Sequence, residues 1–372
     1  IAALNVGGQT IHSFFGFPPK PLQKQDIKKR RNRRVYQKME LLVIDEISMV
    51  RADLLDNIDY FLRINREIPL PFGGLQVVFF GDLFQLPPVV ATEVESMHFQ
   101  LLYDSPYFFS SMVIKQGLGM EMLELRKVYR QDSRHFLRLL EAIRMNQIDS
   151  EDLEELNDRY LPGFVPEDFY IILTARNATA NRINQQQLDA LITEERTYLA
   201  TVSGVFKERL FPTEPALRLK LEAQVMFVKN DPDKRFVNGT IGRVKELKTN
   251  SVVIEVEEKS GFRRTVEVEQ VDWEILKYST EADRPEKIVT EVLGTFTQFP
   301  LKLAWAITIH KSQGKTFDKV IIDLGKGAFE HGQTYVALSR CRTLDGIVLK
   351  QPLRMQDVRI DDRVVAFYEQ QQ

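Results

Sequence analysis

Residues 41–50, LLVIDEISMV, constrain the fold more than any other stretch of this chain. Four apolar residues, Leu41, Leu42, Val43 and Ile44, run directly into two acids, Asp45 and Glu46. A short unbroken apolar run fits a strand buried on both faces, as in the middle of a parallel sheet. The acids then fall at the strand's C-terminal end, where open α/β sheets bind their ligands. An aspartate there can hold Mg²⁺ against nucleotide phosphates, and a neighbouring glutamate can orient and deprotonate an attacking water. The same residues also read as an apolar strand that ends in two solvated acids.

A second buried-strand pattern lies at residues 75–80, LQVVFF, and it too stops at a small residue and an acid, Gly81-Asp82. Phe84, Gln85, Leu86, Pro87 and Pro88 follow. Gln85 is uncharged, so it can sense a γ-phosphate or a water without titrating. Between the two strands, Leu54, Leu55, Ile58, Phe61 and Leu62 recur at helical spacing over residues 53–63, and Pro69, Pro71, Gly73 and Gly74 break the helix.

Outside this unit the chain alternates polar clusters with short strands. Residues 1–17 hold a Gly7-Gly8 turn and then Thr10, His12, Ser13, Phe14 and Phe15, hydroxyls and rings suited to phosphates and base faces or to plain core packing. Residues 18–36 combine Pro18, Pro19 and Pro21 with Lys28, Lys29, Arg30, Arg31, Arg33 and Arg34, and read as a protruding basic excursion. A turn and helix are expected over 124–144, with Arg130 either at the surface or reaching a phosphate from a neighbouring domain. A strand over 170–174 leads into a helix over 175–191, where Asn177 is a candidate N-cap beside Thr174.

Residues 200–291 change character. Val252, Ile254 and Val256 alternate, as do Val266 and Val268, with Lys259-Ser260-Gly261 as the turn between them and Asn238-Gly239 as another. This predicts a small inserted antiparallel β domain with Glu255, Glu257, Glu267 and Glu269 on an exposed face. Then LKLAWAITIHKSQG gathers Thr308, His310, Lys311, Ser312 and Gln313 around one turn next to Gly314, before a strand at 320–324. One histidine without cysteine is a poor metal set, so phosphate contact suits these side chains better. Tyr335, Leu338 and Cys341 then fall at helical spacing within residues 333–342, close to Arg340 and Arg342, and a last strand is expected at 347–349.

The composition is that of an ordinary globular chain, 44% hydrophobic and 27% charged, long enough at 372 residues for two or three domains. A net charge of −2 excludes a globally basic nucleic-acid coat, so any such binding uses a local groove. One cysteine cannot form an internal disulfide and suggests a reducing compartment. No apolar run approaches a membrane span.

Taken in order, IAALNVGGQTIHSFFGF, LLVIDEISMV, PFGGLQVVFFGDLFQLPPV, LRKVYRQ, ILTARNATANRIN, LAWAITIHKSQGKTFD and TYVALSRCR resemble the Pif-like (petite integration frequency) superfamily-one DNA helicases, which are related to RecD. The resemblance implies an α/β fold with two RecA-like motor domains, at 1–17 with 37–118 and at 119–199 with 292–372. It also implies a wedge at 18–36 and an inserted SH3-like β-barrel at 200–291. It implies ATP and Mg²⁺, with Asp45 on the metal, Glu46 as general base and Gln85 coupling the γ-phosphate to the DNA site. Arg130 and Arg340 would reach the γ-phosphate from the second domain, and Gly314 would sit beside the phosphates. Thr10, His12, Ser13, Phe14, Thr174, Asn177, Thr308, His310, Lys311 and Ser312 would line a single-strand track.

The implied enzyme is a helicase and DNA-stimulated ATPase that moves 5′ to 3′ on single-stranded DNA as a monomeric motor. It would act on duplex, junction or G-quadruplex DNA or on RNA–DNA hybrids, in DNA repair or telomere maintenance. Its setting would be the cytoplasm of a bacterium, or the nucleus or mitochondrion of a eukaryote. The alternatives are a RecD-like subunit of a nuclease–helicase complex and a non-hydrolysing single-strand-binding remnant. No GxxxxGK[ST] phosphate loop occurs in the sequence. The family's loop lies just upstream of the stretch that begins at Ile1, so the chain reads as truncated there and, as written, is expected to have no significant ATPase, unlike its natural full-length form.

Overall fold

The structure, a computed structural model, describes residues 8–18, 22, 24–90, 93–258, 261–280 and 288–371. Residues 1–7, Pro19, Pro21 and the Lys259-Ser260 turn lie outside them. Strands β1 (Leu41–Ile44) and β2 (Gln76–Phe79) pair in parallel, Leu41 opposite Gln76 and Ile44 opposite Phe79. Helix α1 (Ala52–Arg66) joins them and buries Leu55, Ile58, Phe61 and Leu62 completely. The expected two-sided burial of β1 is corrected here. Leu41 and Val43 are 48% and 51% exposed, and Ile44 alone of the four is buried. Its side chains alternate like those of a strand covered on one face, and the expected burial of β2 is corrected too, since none of Gln76–Phe79 is buried.

The basic segment is also not a free protrusion. Ile27 and Val35 are buried in the same core as Phe15, Phe17 and Phe61. Arg30 donates to the Phe15 and Gly16 carbonyls, and Lys29 and Arg33 pair with Glu67 at the end of α1. Its apolar positions tether it, while Arg31 and Arg34 stay exposed.

A second parallel sheet is formed by β3 (Ile171–Thr174), β4 (Ala306–Thr308), β5 (Val320–Asp323) and β6 (Ile347–Leu349), in the spatial order β4–β3–β5–β6. Here continuous apolar runs are buried: Ile171, Leu173, Val320 and Ile347 are fully covered. Helices α2 (Arg134–Arg144) and α3 (Asn177–Ala190) belong to this unit, α2 supplying Phe136, Leu139, Leu140 and Ile143 to its core. Asn177 is the first residue of α3 and not its cap; the cap position is Arg176, whose N–H is taken by Thr174 Oγ1 at 3.2 Å.

Between β3 and β4 the chain forms antiparallel sheets. One has five strands and includes Gln224–Phe227, Ile241–Leu247, Ser251–Glu257 and Arg263–Glu269; another has three, from Thr201–Gly204, Val271–Thr280 and Ile288–Gln298. Val252, Ile254, Val256, Val266 and Val268 share one buried face, as their alternation requires. The antiparallel region outruns the expected 200–291. It opens with Arg196–Leu199, its strand Ile288–Gln298 crosses residue 291, and Leu301–Leu303 closes the larger sheet against Gln224–Phe227. Glu255 and Glu257 are half-buried in ion pairs with Lys245, Arg263 and Lys319, whereas Glu267 and Glu269 are exposed.

Two segments change sides relative to the expected division. Leu86, next to the first sheet in sequence, is fully buried in the core of the second. The final helix α4 (Asp362–Gln370) packs on the first unit: Phe367 stacks on Phe109 at 4.4 Å, and the Tyr107 hydroxyl donates to Asp361 at 3.0 Å. No helix among the described residues is long and apolar enough to cross a membrane.

Candidate nucleotide and DNA sites

The ends of β1 and β2 are locked together. Phe80 N–H donates to Ile44 O and Ile47 N–H to Phe80 O, both at 2.9 Å. Gly81 allows this approach, because a Cβ there would lie 3.0 Å from the Ile47 backbone nitrogen. Asp45 is exposed and accepts from Glu46 N–H at 2.9 Å. Glu46 adopts φ 51, a left-handed conformation rare outside glycine, and is half-buried. Burial chiefly, then Asp45, raises its pKa above the usual carboxylate value, while Arg340 and Arg130 pull the other way. The result is a carboxylate more basic than its exposed counterpart, as a general base requires.

Both candidate arginines lie within electrostatic reach of this acid. Arg340 is only 1% exposed; its Nε donates to Val336 O at 3.0 Å and another guanidinium nitrogen to Ser339 Oγ at 2.9 Å. Burial, with Arg130 adding to it, draws its pKa down to about 10. Arg130 donates to Thr316 Oγ1 at 2.9 Å and to Ser339 O at 3.3 Å, and burial lowers its pKa as well. Gln131, which carried no assignment from sequence, ties the same loop by donating to Ser339 O and Cys341 O. The Cys341 thiol is buried and pushed up to about 12, so it packs and does not react.

Gln85 lies on the joint between the two parallel-sheet units. Its side chain contacts Gln313 at 3.5 Å, and Gly314 follows at φ 71 with open space around it. Sequence reading noted Asp82 and Tyr335 but missed their contact. The Tyr335 hydroxyl donates to Asp82 at 3.0 Å across 253 residues.

Except for Thr174 and Asn177, the proposed track residues divide between two short helices with one local design. Thr10 caps Ile11–Phe15 by accepting from Ser13 N–H, and Thr308 caps Ile309–Ser312 by accepting from Lys311 N–H. The sequence repeat behind this is Thr-Ile-His, at 10–12 and 308–310. His12 is held below its usual pKa by burial first, then by Arg209 and Arg51; His310 faces Glu330 at 3.1 Å. Phe14 packs edge-on to Phe15 and Tyr36 and is partly covered. Thr174 lies opposite Thr308 in the sheet register. Thr174, Thr308 and Ser312 are buried and bonded locally, Ser312 donating to Ile309 O, so they shape the turn and do not present hydroxyls to solvent. Lys311 and Asn177 are exposed.

Among the described residues no cluster of three metal-ligating side chains exists. Asp45 alone suits Mg²⁺, which takes one or two carboxylates and completes its octahedron with water and phosphate oxygens.

Comparison with known proteins shows the family of the chain. Residues 1–154 match the PIF1-like helicase family. The chain is 30% identical over 400 residues to the ATP-dependent DNA helicase Pif1 of Campylobacter jejuni, covering 99% of this chain and 86% of that protein. It is 33% identical to the ATP-dependent DNA helicase PIF1 of Mus musculus over 99% of this chain, but spans 54% of that relative's length. The crystal structure of Bacteroides sp Pif1 in complex with ADP-AlF4 matches with a TM-score of 0.89 and 40% identity, covering 100% of this chain and 85% of that one. The Bacteroides Pif1 structure bound to ssDNA matches over the same shares and at the same identity, with a TM-score of 0.70. The chain therefore belongs to the PIF1-like helicase family.

Proposed function

We propose that the protein is an ATP-dependent DNA helicase whose two parallel-sheet units are RecA-like motor domains, with the nucleotide site at the cleft between them. The observation that carries this is the burial of Arg340, with Arg130 in electrostatic reach, beside Glu46. Two cations from the second unit and a basic carboxylate from the first suit a phosphoryl-transfer site that works by positioning and charge stabilisation. Glu46 takes a proton from the attacking water, and Arg340 and Arg130 stabilise charge on the γ-phosphate. Asp45 would hold Mg²⁺, which supplies positive charge at the phosphate oxygens.

Single-stranded DNA lies across the two Thr-capped helices, gripped through its backbone and by stacking, and the motor advances 5′ to 3′. Nucleotide binding favours one arrangement of the units and hydrolysis releases it, which converts turnover into movement. Residues 18–36 serve as the wedge at a duplex fork, and the antiparallel region is an SH3-like accessory domain. G-quadruplexes and RNA–DNA hybrids are further substrates of this reading.

The test is ATP hydrolysis by the protein expressed from its complete gene, with and without single-stranded DNA, beside Glu46→Gln. Strong stimulation that disappears in the variant supports a motor with Glu46 in the hydrolytic step. No stimulation in the unaltered protein leaves only a binding scaffold and overturns the proposal.

A further inference from the structure

The segment after β2 is held from both sides of the cleft. Leu86 is fully buried in the second unit's core, and the Arg144 guanidinium lies 4.3 Å from the Phe84 ring centre. Gly332, at φ 68 and next to the Gln333–Ser339 helix, is pressed so closely on this segment that a Cβ there would lie 2.4 Å from Phe84 O. From the first unit, Phe84 shares a buried cluster with Tyr107 and Val364. One side chain at the start of the segment collects the polar contacts. Asp82 accepts from the Tyr335 hydroxyl at 3.0 Å, faces Arg144 Nε at 3.4 Å and accepts from its own segment's Phe84 N–H at 3.2 Å. Its other link is to Gln85: Gln85 N–H donates to Asp82 O at 3.1 Å, and Gln85 Nε2 lies 3.5 Å from Asp82 Oδ2. Gln85 Oε1 in turn meets Gln313 Nε2, and Gln313 is the C-cap of the Thr308-capped helix.

We propose that Asp82 is the positioning residue that sets Gln85. Held by Tyr335 and Arg144 from the second unit, it orients the glutamine between the nucleotide and the helix that grips DNA. The chain Tyr335–Asp82–Gln85–Gln313 is then the physical link by which DNA on one unit changes hydrolysis at the cleft. This rests on the reading above that Gln85 faces the nucleotide. The chemistry suits the task. A half-buried carboxylate with an arginine and a phenol as donors has a fixed direction, because leaving either of these largely covered donors unmet costs the desolvation of that group. Burial opposes the charge on Arg144, and Asp82 with Glu141 more than offsets it, so the cation is retained. Burial and Asp82 both keep Tyr335 protonated, so it remains a donor at all working pH values. The two glutamine contacts are long, as catalytic hydrogen bonds often are before the substrate complex forms.

The experiment uses the protein from its complete gene and compares it with Tyr335→Phe, Gln313→Ala and the double variant. Tyr335→Phe removes one oxygen and leaves the ring's packing. The expected result is that the ratio of DNA-stimulated to basal turnover falls about tenfold in Tyr335→Phe, the size of one lost hydrogen bond to a carboxylate, and several-fold in Gln313→Ala, which loses a neutral amide contact. KM for ATP and the melting temperature stay near the parent's. In the double variant the losses do not multiply, because both interrupt one path. Normal stimulation in Tyr335→Phe overturns the proposal alone. A loss that tracks a fall in melting temperature, with KM rising in step, assigns these residues to packing and also overturns it. An unaltered protein that DNA does not stimulate overturns the functional reading and this proposal with it.

Discussion

Arg340 retains its charge although burial and the neighbouring Arg130 both oppose it, with a pKa drawn down to about 10. Its hydrogen bonds go to Val336 O and Ser339 Oγ, neutral oxygens that do not balance the cation. A buried charge without a full counter-charge is a cost to the fold, so a hydrophobic replacement of similar volume is expected to be tolerated. Arg340→Met should melt no lower than the parent in a thermal denaturation series. Its ATP turnover should fall by at least about a hundredfold, because arginines on a γ-phosphate contribute factors of that order or more. Affinity for single-stranded DNA, measured by fluorescence anisotropy without nucleotide, should change little. Equal losses in turnover and DNA affinity would remove Arg340 from the hydrolytic step.

Glu46 gives a pH prediction. Its pKa lies above the ordinary 4.5, mainly through burial. As a general base it works only when ionised, so kcat/KM should fall as pH drops through that raised value, and the residual rate of Glu46→Gln should lack this acid limb. Stability follows with the opposite sense. The folded state binds the proton more tightly than the unfolded chain, so this group costs stability above its folded pKa. Glu46→Gln should therefore be the more stable protein at neutral pH, with the advantage shrinking as pH falls through the folded pKa. A variant that melts lower at pH 7 would contradict the burial argument.

The Thr-Ile-His repeat makes a matched pair of tests. Thr10 and Thr308 each cap a short helix that belongs to the proposed DNA track. Alanine at either position removes the cap, worth about 0.5–2 kcal/mol, and serine preserves it. Single-strand affinity should fall several-fold in the alanine variants and be restored in the serine ones. Lys311→Ala should lower the slope of log affinity against log salt by roughly 0.7, the release expected for one phosphate contact on a single strand. An unchanged slope would place Lys311 outside the backbone path.

Much of this arrangement was legible in the chain itself. Apolar runs ending in acids gave β1 and β2, because a strand's exit from a sheet is a local event. Alternation gave the antiparallel region for the same reason. What sequence missed is what depends on contacts between distant segments. The one-sided exposure of Leu41 and Val43 depends on what packs over that face of the sheet, which four apolar letters do not report. The return of Phe367 to Phe109, and the seating of Leu86 in the other unit's core, are long-range choices among equally apolar sites. Thr308 and Ser312 read as outward hydroxyls, yet helix capping and a bond to Ile309 O consume them.

Lys302 offers a prediction independent of catalysis. It lies on the short strand Leu301–Leu303, where burial, with Lys315 and Lys311 adding to it and Glu214 opposing, lowers its pKa from 10.5 to about 8. Lys315 is itself anchored, donating to Asn238 Oδ1 at 2.8 Å, and so cannot easily withdraw from its neighbour. At pH 7 Lys302 is charged in both the folded and the unfolded chain, and the fold bears the cost of holding that charge. Between about 8 and 10.5 the unfolded chain binds more protons than the folded one, so this residue's cost disappears as pH rises. Lys302→Met should therefore stabilise the protein at pH 7, by roughly 1–2 kcal/mol once solvent screening is allowed for. The gap between variant and parent should close by about pH 10. Urea denaturation of both proteins at pH 7 and pH 10 measures this directly. A gap that stays constant across that range would mean that packing, not charge, sets the cost of Lys302.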